Sequence, residues 1–346
     1  MLAKKVPVIH QTDCFHHHAD PDDHWDLASQ FALAYTGDID LKGILIDYPP
    51  RADVSGVECG DPAIAAVNQL NFMCGQFAPV AVGNALKIHC DEDLHQVASM
   101  TPLNSGLSMI FRLLEEASEP VAIHIVGSAR DIAVASMMRP ELFKEKCKAV
   151  YLNAGTAVEN LIEYNVKLDP YSYSKIFKLP CPLYWMPCFH ELAPQQPLTL
   201  NTHGTYWRFC QKEVLPYLSE NLQKYFAYAL GRVTENRWLS YLKYPLNEDI
   251  IDAHSKFYRN MWCTAGFLHT AGKTVTADGR IVDADTPGIQ PVFDFMPIAV
   301  TCDDNGRTSW TPHESDQRFI FRILNTCSTI WSVMFKIKPW YCCTGI

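Results

Sequence analysis

Five carboxylates crowd one short stretch, Gln11-Thr-Asp-Cys-Phe-His-His-His-Ala-Asp-Pro-Asp-Asp-His-Trp-Asp26: Asp13, Asp20, Asp22, Asp23 and Asp26. Like charges this close repel, and a fold tolerates them best when a cation neutralises them. Donors that are all oxygen favour a hard ion, Ca²⁺ ahead of Mg²⁺. A second reading competes for part of the cluster. Asp20 before Pro21 also reads as a helix N-cap followed by proline at N1, with acids facing the positive end of the dipole. Asp13 escapes that reading because it stands at a strand end. Asp26 lies four and three residues beyond Asp22 and Asp23, so these side chains share a helical face. His16, His17, His18 and His24 flank the cluster, and an imidazole titrates where a general acid must. They read equally as an exposed polar loop, and a transition-metal site is a third reading.

The elements that must position these groups alternate. Val6–Ile9 predicts a strand and Pro21–Thr36 a helix. Strands follow at Leu41–Ile46, Val80–Val82, Val121–Val126, Ala149–Leu152 and Pro182–Met186. Helices fall at Pro62–Phe72, Leu107–Ala117 and Ala129–Met138. Nearly continuous apolar strands between amphipathic helices predict an α/β fold with a mostly parallel central sheet covered on both faces. Ligands of such sheets bind at the carboxyl ends of the strands, where Asp13 falls. The stretch from about 195 to 260 predicts a mainly helical insertion, and residues 1–346 read as a single domain. His124 lies inside an apolar strand and reads as a core histidine. Asp169-Pro170 reads as a helix start, and His190-Glu191 as a candidate pocket lining. Trp185, Trp207 and Trp238 read as core or interface aromatics, with stacking on a ligand as the alternative.

Of the 346 residues, 48% are apolar, enough for a sizeable core, and the net charge of −9 argues against a nucleic-acid partner. No apolar run reaches membrane-span length, and the N-terminal residues lack a signal-peptide core. The 13 cysteines are scattered, with no C-x-x-C pair. Residues such as Cys147 and Cys181 read as reduced core thiols, so the expected compartment is the cytoplasm. Neither a Gly-x-Ser-x-Gly elbow nor a Walker loop is present.

Four separated segments together resemble the calcium-dependent nucleoside hydrolases of the inosine–uridine type, in a divergent Asp-Pro-Asp-Asp variant. Asp13 matches the second aspartate of that family's Asp-Thr-Asp-Pro-Gly-x-Asp-Asp. Val126-Gly-Ser-Ala-Arg-Asp-Ile-Ala-Val-Ala135 is similar to Gly-Pro-Leu-Thr-Asn-x-Ala. Leu152-Asn-Ala-Gly-Thr-Ala157 with Glu163-Tyr-Asn-Val-Lys-Leu-Asp-Pro170 resembles Gly-Gly followed by Glu-Phe-Asn-x-x-x-Asp-Pro. Phe293-Asp-Phe-Met-Pro-Ile-Ala-Val300 resembles His-Asp-x-x-Ala-Val. The resemblance implies a Ca²⁺-dependent hydrolase that cleaves the N-glycosidic bond of a ribonucleoside or related riboside, with metal-bound water as nucleophile. It implies Asp13 as ligand and proton acceptor, and Asp294 and the Val126 carbonyl as further ligands. Asn160, Glu163 and Asn165 would hold the sugar, and a homo-oligomer is implied by analogy. The remaining ligands stay open: the literal dipeptide selects Asp22 and Asp23, whereas the distance to the next strand selects Trp25 and Asp26.

Two departures stand out. Phe293 takes the place of the histidine that helps the leaving base depart, and phenylalanine donates no proton. The usual Gly-Asn after the second strand is replaced by Ile46-Asp-Tyr-Pro-Pro-Arg51, so Asp47 or Arg51 takes over a sugar contact. The sequence therefore carries two functional readings. One is a hydrolase with a relocated acid, His17 or His24; the other is a metal-dependent sugar- or nucleoside-binding protein with little catalysis.

Overall fold

A computed structural model describes residues 5–17, 20–51, 56, 58–100, 105–157, 162–188, 204, 207–314 and 317–324, with backbone only at 17 and 207. Nine strands form the main sheet: β1 (Val6–Thr12), β2 (Ile39–Ile46), β3 (Val80–Val82), β4 (Val121–Ile125), β5 (Cys147–Leu152), β6 (Leu183–Trp185), β7 (Phe293–Cys302), β8 (Thr308–Pro312) and β9 (Arg318–Ile323). Their order is β8-β7-β9-β6-β5-β4-β1-β2-β3. Pairing is parallel from β3 through to β9, and β7 joins β9 and β8 antiparallel at one edge.

Alternation along the strands divides the core in two. Val8, Ile44, Ile46, Ala122 and Tyr151 face one apolar cluster, whereas Ile9, Leu45, Ile123, Val150 and Leu152 face the other. A period of two makes this unavoidable once both sheet faces are covered. The covering helices include α1 (Pro21–Thr36), α2 (Ile64–Cys74), α3 (Ser105–Glu116) and α4 (Arg130–Met138). After β5 come α5 (Tyr164–Leu168) and α6 (Pro170–Ile176), and later α7 (Glu220–Leu230) and α8 (Thr264–Thr270). The alternation expected from the sequence is thus the observed one, with boundaries moved by a few residues.

Helix α1 is buried from Asp23 through Ala34, on every side rather than on one stripe. The reason lies in the segment after residue 207, which packs over it. Trp25 is sandwiched against Phe209 and Phe226, and its indole N–H donates to Gln211 Oε1 at 2.9 Å. That segment is mainly helical and is closed by an antiparallel ribbon of Trp207–Cys210 and Tyr258–Met261. Among the described residues no helix is long and apolar enough to cross a membrane. Strand β9 ends at Ile323, and residues 325–346 lie outside the described set.

Candidate active site

Strand order reverses at β1, with β2 and β3 on one side and β4, β5 and β6 on the other. Crevices in open parallel sheets form at such reversals, beyond the carboxyl ends of the strands. Asp13 follows the last residue of β1 there. The Thr12 hydroxyl accepts from Cys14 N at 3.2 Å and donates to Asp23 Oδ1 at 3.1 Å, tying the strand end to the first turn of α1. A cavity of about 510 Å³ opens at this point. Asp13, Asp20, Asp22, Asp23 and Asp26 line it, together with Val126, Asn153, Glu163, Asn165 and Cys263.

The electrostatics follow from that crowding. Burial raises the Asp13 carboxyl well above its ordinary range, and the charges of Asp47 and Asp20 raise it further. Burial likewise raises Asp22, with Asp20 adding to the shift, and Asp23, with Asp13 adding to it. Asp26 is pushed up to about 7 by burial, against the opposing effect of the Cys263 thiol beside it. Its Oδ1 is buried without a hydrogen-bond partner among the described residues. A set of oxygen donors with unbalanced negative charge and an orphaned oxygen suits a hard cation by charge and donor type. The side chains ring the cavity rather than converge: among the described residues no three His, Cys, Asp or Glu side chains form a ready metal-holding group.

The same cavity has polar groups from the segment after β5. Glu163 caps α5, its Oε1 accepting from Asn165 N at 3.0 Å and its Oε2 from Gly155 N at 2.9 Å. Burial raises the Glu163 carboxyl, opposed by these backbone donors. Asn165 Nδ2 donates to the Val126 carbonyl at 3.3 Å, and Asn165 Oδ1 is buried without a partner among the described residues. The turn at Gly155 has φ +77, and a Cβ there would sit 2.0 Å from Tyr173 Oη, so glycine is required on both counts.

Asp13, Asp22, Asp23, Asp26, Val126, Glu163 and Asn165 are thus brought to one cavity. The two alignments of the acidic segment meet there, because one helical face carries Asp22, Asp23 and Asp26, whereas Trp25 points into the core. Asp294 is a correction. It lies on β7 opposite Arg322 of β9, in an ion pair of 2.6 Å, and does not line the cavity. Phe293 is buried and stacks on Phe321, so it faces the core rather than a leaving group. The wall expected from that segment is supplied by Trp262-Cys263, directly before α8. The resemblance pointed instead to an Asp beside an apolar run, because position 263 holds a thiol. The available signal was a short strand running straight into the helical Thr264-Ala-Gly-Phe267.

His24 is a second correction. It is fully buried, bonded to Tyr225 Oη at 3.0 Å beside Cys14, and burial lowers its pKa to about 3. A neutral imidazole in the core under α7 does not reach the cavity. His16 stacks on Tyr228 and bonds the Val233 carbonyl. The backbone of His17 pairs with Gly60, and its side chain lies outside the described set, as do His18, Asn160, His190 and Glu191. Asp47 stands behind the cavity: Gln11 Nε2 donates to one of its oxygens and Ser128 N to the other at 2.7 Å. His124 is the satisfied core histidine expected, bonded to Gln30 and Thr270. Asp169 caps α6 and forms a buried ion pair with Arg130 at 3.0 Å.

No protein-family model matches the sequence, and comparison with curated proteins finds no match. Solved structures do match. A plant nucleoside hydrolase aligns at TM-score 0.51 and 15% identity, over 89% of this chain and 87% of that one. The inosine-uridine preferring nucleoside hydrolase from Bacillus anthracis aligns at TM-score 0.51 and 15% identity, over 97% and 99%. At that identity the likeness speaks for the fold, and the fold is nucleoside-hydrolase-like.

Proposed function

We propose that this protein is a Ca²⁺-dependent hydrolase acting on the N-glycosidic bond of a ribonucleoside or related riboside. The observation that carries the reading is that Asp13, Asp22, Asp23 and Asp26 line one cavity together with Glu163 and Asn165. Asp13, Asp22, Asp23, Asp26 and the Val126 carbonyl would hold the ion. When bound, Ca²⁺ supplies neutralising charge and makes a water at the site easier to deprotonate. Asp13 accepts the proton of the attacking water. Glu163, fixed by two backbone N–H groups, accepts hydrogen bonds from sugar hydroxyls, and the orphaned Asn165 Oδ1 accepts another. The surrounding carboxylates stabilise the positive charge that develops on the sugar ring.

The leaving group departs past Trp262, whose indole offers an aromatic face but no titratable proton. With His24 held neutral in the core, the site favours aglycones that leave without strong protonation. Incubation with Ca²⁺ and a panel of nucleosides and nitrophenyl ribosides, followed by a reducing-sugar assay, tests the reading. Nitrophenyl ribosides turning over faster than inosine is the expected order; no turnover across the panel sinks the catalytic claim. Trp262 and Cys263 favour a second reading, a metal-dependent sugar-binding protein. Calorimetry that detects ribose binding with Ca²⁺ present, alongside a blank panel, selects it.

A further inference from the structure

A second cavity, of about 250 Å³, abuts the acidic one and has the opposite character. Arg51, Lys87 and Arg130 line it, with Tyr48, Ser128 and Asp47. Three cations against one carboxylate is unusual in a chain of net charge −9. The lone carboxylate is turned away into protein, its oxygens taken by Gln11 Nε2 and by Ser128 N. Arg130 is buried at 6% exposure, and Asp169, the Asn84 carbonyl and the Leu168 carbonyl take three of its hydrogen bonds. A guanidinium has five N–H donors, so two are left beyond those three bonds. Arg51 and Lys87 stand exposed at the mouth, with no ion pair or hydrogen bond to any described residue.

The two cavities share their dividing wall. Val126 lines the acidic cavity and Ser128 the cationic one; Lys167 and Leu168 divide in the same way. Gly127 sits between them, and a Cβ there would fall 2.7 Å from Asp47 Oδ2 and 2.9 Å from Asp13 N. Two residues of chain span at most roughly 7 Å, so the two cavities lie within the length of a ribose phosphate of one another. Charge selects what the second cavity takes: Arg and Lys side chains with spare donors bind a tetrahedral oxyanion through charge-assisted hydrogen bonds.

We propose that the two cavities form one composite site for a phosphorylated riboside, with the ribose at the acidic wall and the phosphate between Arg51, Lys87 and Arg130. This rests on the riboside reading and narrows it from neutral nucleosides to phosphate esters. The test measures binding of ribose, ribose 5-phosphate and inorganic phosphate by calorimetry with Ca²⁺ present, in the native chain and in Arg51→Ala/Lys87→Ala. Both substituted residues are exposed and make no ion pair or hydrogen bond to a described residue, so the double variant is expected to fold. Uridine against uridine 5′-monophosphate reads the same ratio with a base attached, separating a sugar phosphate from a nucleotide.

Ribose 5-phosphate, or the nucleotide, is expected to bind roughly tenfold or more tighter than its unphosphorylated partner. The ratio is expected to approach one in the double variant and to shrink as salt is added. A native ratio near one with ribose still bound overturns the composite site and leaves the riboside reading standing. So does a preference that persists in the double variant. Binding of inorganic phosphate alone, lost in the double variant and with no ribose compound bound, overturns both and places the failure in the acidic cavity.

Discussion

Cys263 and Asp26 decide what the acidic wall can hold. Asp26 is 2% exposed with one oxygen unpartnered, and the Cys263 thiol beside it donates to Asn153 Oδ1 at 2.9 Å. A thiol is a poor ligand for a hard ion. Cys263→Asp adds an oxygen donor and a charge there, and is expected to tighten Ca²⁺ binding by roughly tenfold, read by calorimetry. An affinity that stays level would mean that position 263 does not face the ion. Asp13 carries the opposite expectation for two quantities. Asp13→Asn is expected to lower turnover by about 10²–10⁴-fold, the usual worth of a positioned base. In chelator, the same variant is expected to melt higher than the native chain, because one of several mutually repelling carboxylates is gone.

The turn between β4 and α4 and the middle of β1 are where element geometry becomes function. Gly127 lets the β4 turn approach both Asp13 and Asp47, with backbone and carboxylate in the way of any Cβ. Gly127→Ala is expected to cost about 1–3 kcal/mol of stability, measured by denaturant unfolding, and to displace Asp13 enough to reduce turnover. On β1, His10 is fully buried against Phe267, with neither ring nitrogen hydrogen-bonded, and burial lowers its pKa to about 3. The unfolded chain binds the His10 proton near pH 6.5 and the folded chain only near pH 3. Stability from this group is therefore full above about pH 6.5 and falls as the pH drops towards 3. His10→Leu is expected to melt with a shallower loss between pH 7 and pH 5 than the native chain. Parallel pH profiles for the two would assign the acid sensitivity elsewhere.

At the scale of the whole molecule, the sheet gathers charge from distant chain segments into one cavity, and an ion that binds only there stabilises the folded state by mass action. Ca²⁺ at about one hundred times its dissociation constant is expected to add roughly 2.7 kcal/mol, seen as a higher melting temperature than in chelator. No rise at millimolar Ca²⁺ would argue against an ion on this wall. Local pattern alone made much of this molecule legible. Apolar strands and helix periods depend on neighbours in sequence, so β1, β3, α1 and α4 could be drawn in advance. Asp13, Asp22, Asp23 and Asp26 could be grouped because they lie within fourteen residues of one another. Glu163 and Asn165 were legible only through the resemblance of Glu163-Tyr-Asn165 to the family's Glu-Phe-Asn.

What lay beyond the sequence shares one physical cause: a side chain's facing depends on what packs over it. His24 and Asp26 sit two residues apart on the same helix, yet α7 covers one and leaves the other on the cavity. Asp294 carries the right chemistry, but strand register gives it Arg322 as partner. Cys263 and Trp262 carry unexpected chemistry, yet the ribbon ending at Met261 delivers them to the site. The sequence by itself determined the alternation of elements and the acidity of the first loop, since both follow from local spacing and charge. Only the tertiary structure decided which carboxylates meet, which histidine is silenced by burial, and that a cationic cavity abuts the acidic one. Those outcomes depend on contacts between segments tens to hundreds of residues apart.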